Sequence, residues 1–400
     1  MRLLHIVPTY IPAYRYGGPI YSVHALCRSL AARGHDVHVL TTSVDGPADS
    51  DVPYDRPVDL DGVQVHYCRS RWLRRLFWSP QLHAKCAAMV GGMAIVHLHA
   101  VFLFPTWTGA RAAVRMGVPY VLSPRGMLVR ELIVRRSAVV KRAWIELIER
   151  NNLAQAACIH LTSTEEERAL AGLGLALAPT AVIPNGVDAP KPFSPDTVSD
   201  DVRAVIAEGF DILSFGRISW KKGLERLIEA LTRLPAARVV IAGQDDERDA
   251  ARLAGLAQTM AVSNRVRFLP RHIGEADREA LFAAARIFAL PSLSENFGNV
   301  VVEAMVRGVP VVVTAEVGAA EMVAKSVAGI VTRGDAPDFA AGLALLLDSE
   351  ERRRAMGAAG AAYAREHLTW DGVAQCFGEL YGDIAAARPG KIADHWKAAA

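Results

Sequence analysis

Leu3-Leu4-His5-Ile6-Val7 opens the chain as an apolar run, and Val37-His38-Val39-Leu40-Thr41 repeats the pattern. Between them lie a loop with Gly17-Gly18 and a helical stretch, Ser22 to Arg33, closed by Gly34. Strand, helix and strand in that order make a βαβ unit, whose parallel pairing requires a sheet covered on both faces. Further along, Ile95 to Leu98 reads as a strand, Trp107 to Met116 as a helix, and Tyr120 to Leu122 as a strand. Cys158 to Leu161 and Ala181 to Ile183 complete this first sheet.

Composition changes between Pro184 and Glu208, where Pro184, Pro190, Pro192 and Pro195 crowd together with Asp, Ser and Lys. This is the expected linker. A second set follows, with strands at Asp211 to Phe215, Arg238 to Ala242, Val266 to Leu269, Ile287 to Leu290 and Val309 to Val313. The expected division is a domain over 1–190, a linker over 191–208, a second domain over 209–372, and a helix and tail over 373–400 that packs back on the first domain. The fold class is α/β, two Rossmann-like doubly wound parallel sheets facing a cleft, where ligands of open α/β sheets bind.

A chain of 400 residues, 51% hydrophobic and 22% charged, suits two compact domains. Its net charge of +3 conceals an asymmetry: residues 1–190 carry 20 Lys and Arg against 14 Asp and Glu, which marks this half for anionic partners. The five cysteines are widely spaced, without a C-x-x-C pair, which fits reduced thiols in a cytoplasmic setting. No window is apolar and long enough to span a bilayer, and no nucleic-acid motif is present.

Two loops carry the chemistry. Pro291-Ser-Leu-Ser-Glu295-Asn-Phe-Gly298-Asn299 follows a strand and opens a helix that contains Glu303. Gly298 permits close backbone approach, and the N–H groups of a helix start attract anions. A carboxylate accepts two hydroxyl donors at once, so Glu295 and Glu303 suit the two ends of a sugar-bearing ligand. The same spacing also fits a capped helix with two solvated acids. The second loop, Ser214-Phe-Gly216-Arg217-Ile-Ser-Trp-Lys221-Lys222-Gly223, places cations before a helix, against its dipole. They suit a bound pyrophosphate, or simply a solvated basic turn.

Jointly these segments resemble glycosyltransferase family 4, the large group of retaining GT-B enzymes. Its E-x7-E motif corresponds to Glu295 through Glu303, and its G-R-x4-K-G motif to Gly216-Arg217 through Lys222-Gly223. Pro184 to Asp188, Gly17-Gly18 and the strand-end His97-Leu98-His99 also match. The resemblance implies a nucleotide sugar, GDP-mannose or a UDP-hexose, as donor. Arg217 and Lys222 would hold its diphosphate, Glu295 its sugar hydroxyls and Glu303 its ribose. Asn296 adjoins this set, and the amides of Phe297, Gly298 and Asn299 would cradle phosphates. Gly17 and Gly18 would approach the diphosphate from the other domain, and Arg271-His272 would meet the base. Arg217, Lys222 and Glu295 form the catalytic set, with no cofactor and no required metal. The chain resembles most the bacterial enzymes of polysaccharide, lipopolysaccharide and lipid-linked oligosaccharide assembly, which implies a glycan or polyprenyl-diphosphate-linked acceptor.

Other signals have competing readings. Asp59-Leu60-Asp61 has the D-x-D spacing of metal-dependent GT-A transferases, but it stands before Gly62 and a strand, as a turn would. His97 and His99 share a strand face with no third ligand near them in sequence, which favours a structural role, although His99 is placed to line the cleft. Arg125, where relatives often carry His, either meets an acceptor or donor phosphate or forms a structural ion pair. Two basic, aromatic-rich stretches, Arg69 to Trp78 and the amphipathic Val129 to Arg150, suit an anionic membrane surface on the inner face of the cytoplasmic membrane; a solvated face over the protein's own core is the alternative. A sugar-nucleotide epimerase or an inactive transferase-like scaffold would share most of these features, whereas a dehydrogenase would need the G-x-G-x-x-G that is missing after the first strand.

Overall fold

The computed structural model describes residues 1–129, 133, 138–245 and 248–386. They form two compact units, Met1–Gly186 with Trp370 onward, and Val187–Thr369. In the first unit the strands are β1 (Arg2–Thr9), β2 (Asp36–Thr42), the short hairpin β3 (Val44–Asp45) and β4 (Ala48–Asp49), β5 (Val58–Leu60), β6 (Val63–Cys68), β7 (Ile95–His99), β8 (Tyr120–Ser123), β9 (Cys158–Leu161) and β10 (Thr180–Val182). The main sheet runs β10-β9-β8-β7-β1-β2-β6-β5, parallel except for β5 against β6. Its central strands are buried on both faces, as an all-parallel sheet demands: β7 and β8 have no exposed residue.

The last helix, Trp370–Ala385, belongs to this unit. Trp370, Val373, Ala374, Phe377, Leu380, Tyr381 and Ile384 recur at three- and four-residue intervals and are all buried. They form one apolar stripe on the same core as Val23, Leu26 and Leu30 of the helix Gly18–Ala32. The amphipathic stretch expected over Val129 to Arg150 falls partly on residues 130–132 and 134–137, and the C-terminal tail on 387–400; both lie outside the described residues. What is described of the former is a helix, Ala138–Trp144, a π-helical turn, Ile145–Glu149, and a further helix, Arg150–Gln155.

The second unit holds β11 (Ile212–Phe215), β12 (Val239–Ala242), β13 (Val266–Leu269), β14 (Ile287–Leu290), β15 (Val311–Thr314) and β16 (Gly329–Thr332), in the order β13-β12-β11-β14-β15-β16, all parallel. β16 is absent from the sequence reading. It is short and begins at Gly329, where a Cβ would lie 1.9 Å from Val311 O.

The expected linker over 191–208 needs correction. Residues 200–208 form the helix Asp200–Glu208, which buries Val202 and Val205 in the core of the second unit. Ser199 donates from its N and its hydroxyl to Asp277, at 2.7 and 2.5 Å. Asp200 and Asp201 stand in the first turn, where acids suit the helix dipole. The polar composition that resembles a loop is thus the chemistry of a helix start. The chain passes from one unit to the other between Gly186 and Val187, and back between Thr369 and Trp370.

Candidate active site

Strand order fixes where each unit can bind a ligand. In the second unit the chain runs β11, β12, β13 outward on one side and then returns to place β14 on the other side of β11. The crevice beyond the carboxyl ends of β11 and β14 is the topological switch point. The two loops singled out by the sequence leave these two strands. β11 ends at Phe215, before Gly216-Arg217, and β14 ends at Leu290, before Pro291.

Backbone conformation shapes both loops. Gly216 (φ 137°) and Gly223 (φ 57°) bracket a turn whose last part is the 3-10 helix Trp220–Lys222. A Cβ at Gly223 would stand 2.3 Å from Pro291 O, so only glycine lets the loops touch. Leu293 N donates to Lys221 O at 2.8 Å across this contact. Arg226, from the helix Leu224–Leu231, reaches the carbonyls of Pro291 and Ser292 at 3.4 Å and pairs with Glu316. The acidic loop is in turn tied to the end of β15, by Glu295 N to Glu316 O (3.2 Å) and Ala319 N to Phe297 O (2.8 Å).

Lys222 Nζ lies 2.5 Å from Glu295 Oε2, an ion pair between residues 73 apart in sequence. Arg217 is exposed on the same loop as Lys222. Gly298 (φ 90°) caps the helix Asn299–Val306, so Asn299 is its first residue, and Phe297 is buried in the core, leaving its backbone to face the loop. Glu303 lies in the second turn. It does not join the Lys222–Glu295 pair; its nearest cation is Arg278, at 3.6 Å. Oε2 of Glu303 is buried without a hydrogen-bond partner, and burial holds the carboxyl above its usual range. A carboxylate in this state is prepared to accept hydroxyl donors.

The Arg271 guanidinium is engaged elsewhere. It bonds Asp201 at 2.8 and 2.6 Å and Asp277 at 2.9 Å, fastening the helix Asp200–Glu208 to the helix Glu275–Ala284. The side chain expected at a base edge is therefore occupied, and exposed His272 is the member of that pair left facing solvent.

The first unit has its own switch point, between β1 and β7. Gly17 (φ 71°) caps the helix Gly18–Ala32 after β1, and His99 ends β7. His97 and His99 have a third imidazole beside them, contrary to the sequence expectation. Parallel register sets His5 of β1 against His97, and His5 Nδ1 lies 3.0 Å from His99 Nε2. Only strand pairing, not spacing, could have revealed this. Nitrogens of the three rings lie within 4.8 Å of one another, the spread of a metal site. Their bonding argues for another use. His97 spends Nδ1 on Tyr381 OH (2.6 Å) and Nε2 on Ser123 Oγ (2.7 Å), while His99 Nδ1 accepts from Arg125 at 3.2 Å. A guanidinium so close opposes a second cation.

The chain of hydrogen bonds fixes the protons. His160 Nε2 donates to Ile183 O (2.8 Å), so its Nδ1 accepts from Ser123 (2.6 Å); the hydroxyl oxygen then accepts from His97, whose Nδ1 accepts from Tyr381. Burial lowers His5 and His160 to about 3, and His97 and His99 also fall well below the ordinary value. Four neutral imidazoles thus lie under the carboxyl end of the sheet.

Asp59 and Asp61 are used in the β5–β6 turn. Asp59 accepts from Gly62 N (3.1 Å) and Gln64 (2.7 Å), and Asp61 from His24 (2.9 Å).

Residues 200–363 match the family model described as glycosyl transferases group 1, and residues 17–186 match a glycosyl transferase 4-like domain. The D-inositol 3-phosphate glycosyltransferase of Xylanimonas cellulosilytica is 29% identical over 405 residues, 94% of each chain. That of Stackebrandtia nassauensis is 29% identical over 402 residues, 93% of this chain and 88% of the relative. Among solved structures, sucrose-phosphate synthase from Thermosynechococcus elongatus superposes with a TM-score of 0.76 at 22% identity, over 96% of this chain and 99% of the other. Anabaena HepE in complex with UDP and glucose gives 0.74 at 23% identity, over 96% and 100%.

Proposed function

Because the chain belongs to glycosyltransferase family 4 and has the GT-B fold, we propose that it moves a hexose from a nucleotide sugar to a glycan or lipid-linked acceptor, with retention at the anomeric carbon and no metal ion. The observation that carries this reading is the Lys222–Glu295 pair at the β11/β14 switch point. UDP-hexoses are favoured over GDP-mannose as donors, since HepE is described with UDP, with UDP and glucose, and with UDP-glucose.

Departure of the nucleoside diphosphate leaves negative charge on the leaving oxygen and positive charge on the anomeric carbon. Arg217 and Lys222 neutralise the former; each such fixed cation is worth about 3–4 kcal/mol at the transition state. Glu295, held by Lys222, accepts from sugar hydroxyls, and Glu303 from the ribose. The amides of Phe297, Gly298 and Asn299, beside Asn296, take phosphate oxygens at the helix start. His272 and the backbone of Arg271 are left for the base. Gly17 and Gly18, where the helix after β1 opens, are assigned to phosphate binding at the first unit's own switch point. This unit also binds the acceptor, with Arg125 at its switch point; His99, expected to line the cleft, is instead buried with its two ring nitrogens bonded to His5 and Arg125 and serves to hold that arginine.

Incubating UDP-glucose, UDP-galactose and GDP-mannose with and without oligosaccharide acceptors tests the proposal. Acceptor-dependent release of nucleoside diphosphate is expected. Interconversion of the donor sugar without acceptor would indicate an epimerase, and failure to bind any donor a scaffold.

A role in bacterial surface polysaccharide or lipopolysaccharide assembly, at the inner face of the cytoplasmic membrane, draws support from the segment Arg69 to Trp78. Trp72 is 71% and Leu73 64% exposed, flanked by exposed Arg71 and Arg75. Arg74 is not part of this surface: it bonds Asp49 (2.7 Å) and Ser70 O (2.8 Å) and holds the β3–β4 hairpin. Wild-type protein is expected to sediment with liposomes rich in anionic lipid. The triple variant Arg71→Gln, Trp72→Ser, Arg75→Gln should lose most of that binding; unchanged sedimentation would remove the membrane role.

A further inference from the structure

After β8 the chain turns through Arg125 (φ 56°) and Gly126 (φ 71°), which returns the guanidinium over the buried histidines. Nη1 of Arg125 donates to Asn185 Oδ1 at 3.1 Å and Nη2 to His99 Nδ1 at 3.2 Å, while Nε is buried with no partner. Both partners are uncharged, since His99 is kept neutral by burial and by Arg125 itself. Glu166 is the carboxylate that acts on this cation electrostatically, but its oxygens accept from Gly126 N (2.6 Å), Thr162 N (2.9 Å) and the Thr162 hydroxyl (3.0 Å). Among the described residues Arg125 makes no ion pair.

A partly buried cation with no ion pair is unfavourable, and burial pulls the Arg125 guanidinium below its ordinary pKa against the opposing pull of Glu166. The other titratable groups that act on it are neutral, His5, His97, His99 and His160 as imidazoles and Tyr381 and Cys27 as buried phenol and thiol, and the Glu166 carboxylate is already engaged. Among the described residues no anion is bonded to the guanidinium itself. Nε and one hydrogen on each Nη remain to donate, and a guanidinium fork matches the oxygens of a phosphoryl group.

We propose that Arg125 recognises a phosphoryl group on the acceptor, so that the molecule glycosylated by this enzyme is a phosphate ester rather than a neutral glycan. The inference rests on the reading that the first unit binds the acceptor. Inorganic phosphate is the simplest probe. Full-length protein is melted in phosphate and in chloride at matched ionic strength, at pH 8, as wild type, Arg125→Met and Arg217→Met.

Phosphate at ten times its dissociation constant is expected to raise Tm through Arg125 by roughly 3–6 °C. That part of the rise should vanish in Arg125→Met and survive in Arg217→Met, which removes a donor-site cation instead. An equal rise with and without Arg125, or none in Arg217→Met, overturns the inference while leaving the donor reading intact. Should Arg125→Met fail to fold, Arg125→Gln serves the same comparison. With active enzyme, wild type should prefer a sugar phosphomonoester to the same unphosphorylated sugar by at least about tenfold in kcat/KM, a typical value for one buried charge-assisted contact. Arg125→Gln should erase that preference; a preference that persists contradicts the proposal. If phosphate binds through Arg125 but phosphorylated and plain sugars are used alike, the acceptor is not a phosphate ester and the proposal fails.

Discussion

Lys222→Ala and Arg217→Ala are each expected to lower turnover by roughly 10²–10³-fold while leaving the fold intact. Lys222 is partly buried and bonded to Glu295, so its removal withdraws charge from the leaving diphosphate and also frees the carboxylate that it orients. Arg217 is exposed, and its loss leaves the Lys222–Glu295 pair in place. The two effects should be less than additive, because both cations act on one developing charge. Steady-state kinetics with a saturating donor, accompanied by melting curves, measures this. Turnover within a factor of a few of wild type in either variant would remove that residue from the catalytic set.

The second large effect concerns stability. His5, His97, His99 and His160 all have their ionisation lowered by burial, two of them to about 3. Well above pH 6.5 they are neutral whether folded or unfolded and contribute little pH dependence. As pH falls below 6.5 the unfolded chain binds protons that the folded chain refuses, so stability declines until the folded values are reached. At pH 5.5 the loss is about 1.3 kcal/mol for each ring relative to pH 7, or about 5 kcal/mol for four. This is a large share of a typical stability of about 5–15 kcal/mol. Glu149, Glu166 and Glu303, raised by burial, act in the opposite sense at lower pH. A steep fall in Tm between pH 6.5 and 5.5 is expected. His160→Gln can keep the bonds to Ser123 and Ile183 O, and it should reduce the slope by about one proton. A Tm unchanged over this interval would show that the cluster is protonated or hydrated.

The legible parts of the fold were those that bury both faces. β1, β2, β7, β11, β12, β14 and β15 are largely apolar runs of four to eight residues. β16 escaped because four residues led by Gly329 carry too little pattern, although its pairing with β15 needs that glycine. The segment 191–208 misled for the opposite reason: Ser199, Asp200 and Asp201 look like a linker until Val202 and Val205 find a core. In the candidate site, the structure brings together Glu295 and Lys222, whose strand-end loops stood out in the sequence by charge and glycine. That the Arg271 side chain is taken up by Asp201 was hidden because the two lie 70 residues apart, and His5 was overlooked because only parallel register joins it to His97. Long-range pairing was what the linear pattern withheld.

Calorimetric titration of wild type, Arg217→Ala and Glu303→Gln with UDP and GDP addresses the switch-point site of the second unit most directly. One nucleotide should bind wild type at one site per chain. Arg217→Ala should weaken it at least about tenfold, and Glu303→Gln should weaken it by a comparable factor that disappears for inorganic diphosphate, which has no ribose. Equal affinity for the nucleotide in all three proteins would place its site elsewhere and contradict the account.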